Sequence, residues 1–322
     1  MKRVLLNIAA LAALVFCASS CLVGKYMCNY ALVPTPHGDD ESEIARTRHK
    51  ADSLCPGATI WYDGLKAAGI MKDTTVTGFH GNKVHAVYAP ASNPSEANGT
   101  AVVVHGYGDN HMVFMYLLKM YRDDLNYNII APDLQYHGYS EGDYIQFGWY
   151  DRFDVEKWAE VAHEIFQDDF MVVHGVSMGG ATVMMMSGDN LPDYIRAFVD
   201  DCGYSSVWDQ LSFNLKQTFH LPPFPVLTSA NIVCKNRYGW SFKQASSVNQ
   251  LAKCHRPMLF IHGDADDFVP VEQGYKNYEA KTEGYKEMWI APGAVHANSF
   301  QSYPEEYLSR VRNFLAKVKT ML

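Results

Sequence analysis

The chain has 322 residues, of which 48% are hydrophobic and 19% are charged. This composition allows a sizeable buried core and excludes an intrinsically disordered protein. The formal net charge of -8 and the pI near 5.9 argue against nucleic acid, or an anionic membrane surface, as a partner.

The first element along the chain is a predicted targeting segment, residues 1–21. A positive start (MKR) precedes an apolar stretch of signal-peptide length, and small residues then lead to Cys21. This pattern resembles a bacterial lipoprotein signal, in which Cys21 is lipidated and becomes the N-terminus, although Ala18 stands where Leu is usual. The alternative is an uncleaved anchor, because residues 4–23 are barely long enough to span a bilayer. Both interpretations predict an extracytoplasmic protein held at a membrane, and we favour the lipoprotein.

Residues 22–57 are mixed and polar, and we interpret them as a stalk and lead-in to a main domain, residues 58–322. Within that domain, residues 75–90 (TVTGFHGNKVHAVYAP) alternate on either side of Gly81 and Asn82. This alternation predicts a β-hairpin.

Short apolar runs without polar alternation then recur along the chain, which is typical of strands covered on both faces in a parallel sheet. The runs are residues 101–106, 128–133, 170–175, 197–201, 258–263 and 287–292. Segments 111–125 and 154–166 between them have apolar residues at helical spacing. Alternating strands and helices predict an α/β fold with a mostly parallel central sheet flanked by helices, extended at one edge by the hairpin.

Residues 203–250 interrupt this rhythm and are too long for a simple crossover. Their Trp, Phe and Leu content disfavours a floppy insertion. We predict a small helical lid, inserted before the last two strands and laid over the carboxyl ends of the strands.

Three polar side chains follow predicted strands. Ser177 lies in HGVSMGG after one apolar run, Asp266 follows a second run and His296 follows a third. A G-x-S-x-G turn alone is a weak signal, because Gly and Ser are common in turns. Ligands of an open parallel sheet bind beyond the carboxyl ends of its strands, so we expect these three side chains to meet there.

The order Ser, Asp, His resembles the nucleophile elbow and triad of the α/β-hydrolase superfamily. HGYGDN (105–110) is similar to that family's oxyanion loop, IHGDADDFVP (261–270) to its acid loop and PGAVHANS (292–299) to its histidine loop. Residues 132–158 look like those of the serine aminopeptidase-like and cinnamoyl-esterase-like hydrolases. The resemblance covers the chain from about residue 58 to its end.

The resemblance implies that Ser177 is the nucleophile and His296 its general base. Asp266 would hold the histidine tautomer and stabilise the imidazolium. The backbone N–H groups of Tyr107 and Met178 would form the oxyanion hole.

The elbow also explains two glycines of the motif. Side chains at Gly175 and Gly179 would clash as the strand reverses into a helix that runs from Met178 to about Ser187.

Each role has an alternative candidate. Asp200 or Asp201 could replace Asp266, since some α/β-hydrolases carry the acid on that strand, but we favour Asp266. We expect Asp133 to anchor its loop. The remaining expectations are local packing or hydrogen bonding by His105 and His174, and a structural ion pair between Asp151 and Arg152.

The sequence implies no metal and no organic cofactor. It contains no C-x-x-C pair and no H-E-x-x-H motif, so it has no zinc signature. Two of the seven cysteines, Cys17 and Cys21, belong to the signal. The others leave disulfide pairing open, with at least one thiol left over, and are Cys28, Cys55, Cys202, Cys234 and Cys254.

We therefore predict a serine hydrolase that cleaves a carboxylic ester or related small acyl compound. A peptidase acting on short peptides is the first alternative, ranked lower because Asp209 is the only acid of the predicted lid that could hold a substrate ammonium group. A binding protein on an inactive hydrolase fold is the second alternative, and the complete triad argues against it.

Overall fold

A computed structural model describes residues 22–34 and 41–322 of the chain. The predicted signal, with Cys17 and Cys21, lies outside the described residues. The chain divides into two compact units. Of the described residues, 22–34 and 206–245 form the smaller unit, and 41–205 and 246–322 form the larger unit.

The larger unit contains an eight-stranded sheet in the order β1-β2-β4-β3-β5-β6-β7-β8. Strands β3 to β8 are mutually parallel, and β1 and β2 form an antiparallel hairpin that extends one edge through β4. The strands are β1 (Lys72–Thr77), β2 (Lys83–Ala89), β3 (Thr100–Val104), β4 (Asn128–Pro132), β5 (Met171–Val176), β6 (Ile195–Asp201), β7 (Met258–Gly263) and β8 (Lys286–Ala291).

Each apolar run of the sequence forms one of these strands, and the predicted hairpin is β1 with β2. Every residue of β3, β4, β5 and β7 is buried, which explains their lack of polar alternation. The predicted fold class, α/β with a mostly parallel sheet flanked by helices, is confirmed.

The helices of the described residues fall in both units. They are α1 (22–32), α2 (Glu41–Leu54), α3 (Ala58–Ala67), α4 (Met115–Lys119), α5 (Asp151–Phe166), α6 (Met178–Met186), α7 (Val207–Phe219), α8 (Val226–Tyr238), α9 (Ser247–Leu251), α10 (Val271–Ala280), α11 (Ser299–Ser302) and α12 (Pro304–Lys319). The segment between β6 and β7 is helical, as predicted, and α7 and α8 belong to the smaller unit. Its placement over the strand ends stays a prediction.

Segment 111–125 is not the single amphipathic helix that its spacing predicts. It comprises a 3-10 turn (His111–Phe114), α4 and a π-helical turn (Met120–Asp124). Nearly all of its side chains are buried, whichever way they point. A regular amphipathic helix would leave one face in water, so burial on every side accompanies a change of helical geometry here.

Helix α1 packs against α8 within the smaller unit. A Cβ added to Gly24 would lie 2.8 Å from Ser229, and Asn29 accepts a hydrogen bond of 3.0 Å from Arg237. Between these contacts the thiols of Cys28 and Cys234 meet, both fully buried. The cysteines of the described residues carry free thiols. None of the helices in this part of the chain is long and apolar enough to cross a bilayer.

The predicted ion pair between Asp151 and Arg152 is wrong. Asp151 accepts the backbone N–H of Gly148 at 2.7 Å, whereas Arg152 pairs with Asp189 at 2.8 Å. Successive residues of a helix point in directions about 100° apart, which separates the two side chains. Burial raises the pKa of the Asp151 carboxyl to about 8.

This buried carboxyl makes the stability of the fold depend on pH. The pKa of an unfolded Asp is about 3.9, so between that pH and about 8 the folded chain holds a proton at Asp151 that the unfolded chain releases. The free energy of unfolding therefore falls as pH rises through this window. We expect Asp151→Asn to lose less thermal stability than the wild type between pH 5 and pH 8, as measured by calorimetry.

Asp143→Asn is the matched control, because it makes the same substitution at an exposed position. Its melting temperature should follow the wild type across the range. An unchanged pH slope in Asp151→Asn would contradict a protonated carboxyl at that site.

Candidate active site

The serine at the centre of the predicted motif lies on a sharp turn between β5 and α6. Ser177 has φ 58° and ψ -115°, a backbone conformation that L-residues rarely adopt. Its N–H donates to the carbonyl of Asp201 at 2.7 Å, and its carbonyl accepts the N–H of Ala181 at 2.9 Å. Hydrogen bonds on both sides thus hold the strained residue at the carboxyl end of the sheet.

The two glycines of the motif are required by close backbone contacts. A Cβ on Gly175 would lie 2.0 Å from the carbonyl oxygen of Gly179. A Cβ on Gly179 would lie 2.1 Å from the carbonyl oxygen of Val104 at the end of β3. The turn is therefore tight enough to exclude any side chain at either position.

Ser177, His296 and Asp266 form a continuous hydrogen-bonded series. Ser177 Oγ lies 2.8 Å from His296 Nε2, and His296 Nδ1 lies 2.7 Å from Asp266 Oδ2. An ionised carboxylate can only accept, so Nδ1 of a neutral His296 carries the proton and Nε2 is left to accept from the serine. The structure thus brings together three residues that are far apart in sequence.

The Asp266 carboxylate is buried but well supplied with donors. Its Oδ1 accepts the N–H groups of Phe268 and Val269 at 2.9 and 2.8 Å. Burial alone would raise the pKa of Asp266, but hydrogen bonds from His262 and His296 outweigh burial and lower the pKa below its usual range. The group therefore stays ionised at neutral pH.

His262 is a site residue to which the sequence assigned no role. Its Nε2 donates to the carbonyl of Val269 at 2.8 Å and lies 3.5 Å from Asp266 Oδ2. Burial alone would lower the pKa of His262, but the hydrogen bond to Asp266 outweighs it and the pKa is raised. The spacing of four residues between this histidine and Asp266 in IHGDAD was the available signal.

The loop after β3, residues 105–110, passes beside Ser177. A Cβ on Gly106 would lie 3.4 Å from the Cβ of Ser177. His105 donates through Nδ1 to the carbonyl of Gly106 at 2.7 Å, and its Nε2 accepts the N–H of Leu134 at 2.9 Å. Burial lowers the pKa of His105, so it stays neutral and able to accept. His105 therefore forms local hydrogen bonds, as expected from the sequence.

This loop contains Tyr107, whose N–H is one predicted oxyanion donor. Gly108, the next residue, donates its N–H to His137 Nε2 at 3.1 Å. The Tyr107 ring lies 5.3 Å from that of Phe147. Met178, the other predicted donor, is the first residue of α6 and directly follows Ser177.

Asp133 anchors the chain around the loop, as we expected. Its carboxylate accepts from the backbone N–H and Nδ1 of His111 at 2.9 and 2.8 Å. It also accepts from His85 Nδ1 at 2.8 Å and from the N–H of Tyr139 at 3.1 Å. Burial alone would raise the pKa of Asp133, but the two histidines outweigh it and hold the pKa well below the usual range.

Two sets of side chains in the described residues place three ligand atoms within 4.8 Å of one another, the spacing at which a metal could be held. They are His85, His111 and Asp133 in one set, and Cys202, Asp266 and His296 in the other. In each set the Nδ1 atoms of the histidines are already hydrogen bonded to the aspartate. Both sets can therefore be read as hydrogen-bond networks that satisfy their own polar atoms.

Asp266, rather than Asp200 or Asp201, is the carboxylate hydrogen bonded to His296. Asp200 accepts the N–H of Gly203 at 3.0 Å, and Asp201 accepts the Tyr307 hydroxyl at 2.9 Å. Burial raises the pKa of Asp200 to about 7 and that of Asp201 to about 6. Their carboxylates are hydrogen bonded to other groups and take up a proton more readily than that of Asp266, which makes Asp266 the better partner for His296.

His174 also bonds locally. Its ring nitrogens lie 3.0 and 2.9 Å from the hydroxyls of Tyr121 and Tyr307. Burial lowers the pKa of His174 to about 3.

The site has a serine on a strained strand-to-helix turn of a mostly parallel sheet. That serine is hydrogen bonded to a histidine, which is hydrogen bonded to a carboxylate. These features define the class as a serine hydrolase of the α/β-hydrolase superfamily. The sequence model of the prolyl oligopeptidase family matches residues 135–321, which is more than half of the chain. The chain belongs to this family.

The individual relatives share less than 30% sequence identity with this chain. The chain is 28% identical to the uncharacterised protein YqkD of Bacillus subtilis over 69% of its own length and 72% of that protein. Among solved structures, the Pyrococcus furiosus esterase Pf2001 superposes with a TM-score of 0.60 at 23% identity, covering 79% of this chain and 95% of that one. The Pyrococcus horikoshii acylaminoacyl peptidase gives a TM-score of 0.58 at 16% identity, covering 80% of this chain and 43% of that one. These structural likenesses establish the fold.

The close contact at the elbow leads to a stability prediction. We expect Gly175→Ala to lose more than about 3 kcal/mol of folding free energy, because its Cβ would overlap a backbone carbonyl that cannot move aside. Gly106→Ala is the matched control, since its Cβ would meet its neighbours at 3.4 Å, an ordinary contact. Denaturant unfolding of both variants measures the difference, and equal losses would show that the elbow is not the tighter site.

Proposed function

We propose that this protein hydrolyses carboxylic esters through an acyl-enzyme formed on Ser177. The observation that carries the proposal is the hydrogen-bonded series from Ser177 Oγ through His296 to Asp266, at 2.8 and 2.7 Å. A serine hydroxyl is a poor nucleophile until a neighbouring base removes its proton. This arrangement supplies that base at hydrogen-bond distance.

In the acylation step Ser177 Oγ attacks the ester carbonyl while its proton passes to Nε2 of His296. The imidazolium that forms is stabilised by the ionised Asp266, whose low pKa keeps its charge in place. His296 then gives the proton to the alcohol as it leaves. Water enters in the second step, and His296 takes a proton from it in the same way to release the acid.

Negative charge develops on the carbonyl oxygen in both steps. The backbone N–H groups of Met178 and Tyr107 are the proposed donors to it. Met178 begins α6, so the positive end of that helix also faces the developing charge. Loss of one such donor typically costs about 3 kcal/mol of transition-state stabilisation.

The choice of an ester is supported by the extent of the structural matches. The chain covers 95% of the P. furiosus esterase but 43% of the P. horikoshii peptidase. Peptide hydrolysis remains the second candidate, and membership of the prolyl oligopeptidase family favours it. An aminopeptidase needs a carboxylate for the substrate ammonium group, and Asp209 is the only acid between residues 203 and 250.

The role of Asp266 can be separated from general effects of a lost carboxylate. We expect Asp266→Asn to lower kcat by about 10⁴-fold, because an amide can present its N–H to His296 and favour the wrong tautomer. Asp201→Asn, a buried neighbour that can still accept the Tyr307 hydroxyl, should retain activity within about tenfold. Steady-state kinetics on a short-chain p-nitrophenyl ester measure both. A loss of activity in Asp201→Asn well above tenfold would indicate that Asp201, on β6, is the acid that acts on His296.

The reaction class is tested with a fluorophosphonate probe and a substrate panel. We expect the probe to label the wild type and not Ser177→Ala, because only an activated serine attacks the phosphorus. Against acyl and aryl p-nitrophenyl esters and aminoacyl amides, kcat/KM should be highest for an ester. Preference for the amides would make the protein a peptidase. A folded chain that is neither labelled nor active on any member would favour a binding function.

A further inference from the structure

The smaller unit exposes a run of apolar side chains along one face of α1. Leu22, Tyr26 and Tyr30 follow one another at intervals of four residues and are 70%, 66% and 55% exposed. Val23, beside Leu22, is 42% exposed. Residues at this spacing share one side of a helix.

The exposed run continues into the connection between α7 and α8. The ring of Tyr30 meets the ring of Phe219 edge-on, with centroids 5.8 Å apart. Phe219, Leu221 and Phe224 are 39%, 42% and 68% exposed. We call these seven side chains of α1 and the connection the apolar face of the smaller unit.

Packing among the described residues of the unit does not account for this face. Helix α1 already has a buried side, formed by Gly24, Cys28 and Leu32, again four residues apart. That side meets α8, where a Cβ on Gly24 would lie 2.8 Å from Ser229. The apolar face is therefore a second apolar surface on a helix that is already packed.

The charge of the smaller unit differs in sign from that of the whole chain. Its described residues include one acidic side chain, Asp209, against five basic ones. The basic side chains are all exposed and are Lys25, Lys216, Lys235, Arg237 and Lys243. Although the whole chain has a net charge of -8, the unit that carries the apolar face has an excess of exposed basic side chains.

We propose that the smaller unit docks on the surface of an anionic phospholipid bilayer. The apolar face lies at the boundary between headgroups and acyl chains, and the basic side chains meet the lipid phosphates. Tyrosines, which form much of the α1 part of the face, are enriched at this depth of a membrane.

The sequence before α1 favours a bilayer as the occupant. The predicted lipidation site, Cys21, immediately precedes Leu22, so an anchored chain would deliver the face to the lipid with almost no linker. The apolar face would then lie at the depth of the lipid headgroups, directly after the anchoring residue.

The test is flotation of the full-length chain with vesicles of phosphatidylcholine, alone or with roughly 30% phosphatidylglycerol, at low and high salt. We expect partitioning to rise about tenfold with the anionic lipid and to fall in high salt, because lysine–phosphate attraction is screened. Residues 1–21 carry one Lys and one Arg and are present in every sample, so their contribution is common to all variants compared.

Two variants separate the contributions. The basic triple variant Lys216→Gln, Lys235→Gln, Lys243→Gln should lose most of the gain from anionic lipid. The control triple Lys72→Gln, Lys83→Gln, Lys317→Gln, at exposed positions of the larger unit, should keep it. The apolar variant Tyr26→Ser, Tyr30→Ser, Phe224→Ser should bind both vesicle types at least about tenfold more weakly. Melting temperatures close to the wild type establish that the variants fold.

Other occupants give different results. If the face joins two copies of the chain, the apolar variant will convert a dimer to a monomer in sedimentation and leave vesicle binding unchanged. If residues 1–21 cover the face, the apolar variant will expose them to protease without altering vesicle binding. Either outcome, or a wild type indifferent to anionic lipid, overturns the proposal.

Discussion

The site depends on a backbone turn that brings β5 and α6 closer together than side chains would permit. Gly175 and Gly179 touch neighbouring carbonyls so closely that a single added carbon would overlap them. Between them Ser177 is held at positive φ by bonds to β6 and to the first turn of α6. The hydroxyl is consequently presented beyond the sheet, where the loops that follow β7 and β8 supply the carboxylate and the imidazole.

Burial by itself does not decide the charge of the acids in this region, because the donors around each carboxylate differ. Asp266 receives two backbone N–H groups and lies beside two histidines, and its pKa is lowered. Asp200 and Asp201 on the adjoining strand are just as buried but have fewer donors, and their pKa values are raised to about 7 and about 6. Donor supply therefore distinguishes a carboxylate that stays ionised well below neutral pH from neighbours that begin to take up a proton near neutral pH.

Much of this arrangement could be predicted from the sequence, because its signals are local. Runs of apolar residues predicted the parallel strands, and the polar residues just after them marked the edge where Ser177, Asp266 and His296 meet. The irregular segment 111–125 could not be predicted, because its geometry accompanies burial on all sides. The contact of α1 with α8 was missed for another reason, since nothing near either helix signals a partner that far along the chain.

The partner choice of Asp151 and Arg152 shows the same limit at shorter range. Adjacent opposite charges in a sequence suggest a pair, yet helix geometry turns them apart, and Asp189, which takes the arginine, lies in a different part of the chain. His262 had a local signal in its spacing from Asp266, but its role follows only from where the acid loop folds back. Side-chain partners are settled by tertiary geometry, whereas strand identity is settled by burial.

The packing of α1 against α7 and α8 has a consequence for biosynthesis. Helix α1 is made before the sheet, and its partner helices are made only after β6. Until then the side of α1 that carries Gly24, Cys28 and Leu32 has no native surface to cover it. The smaller unit can form only after the long stretch of chain between α1 and α7 has been made, so it forms late in folding. During translation the apolar side of α1 is exposed and open to aggregation unless another protein covers it.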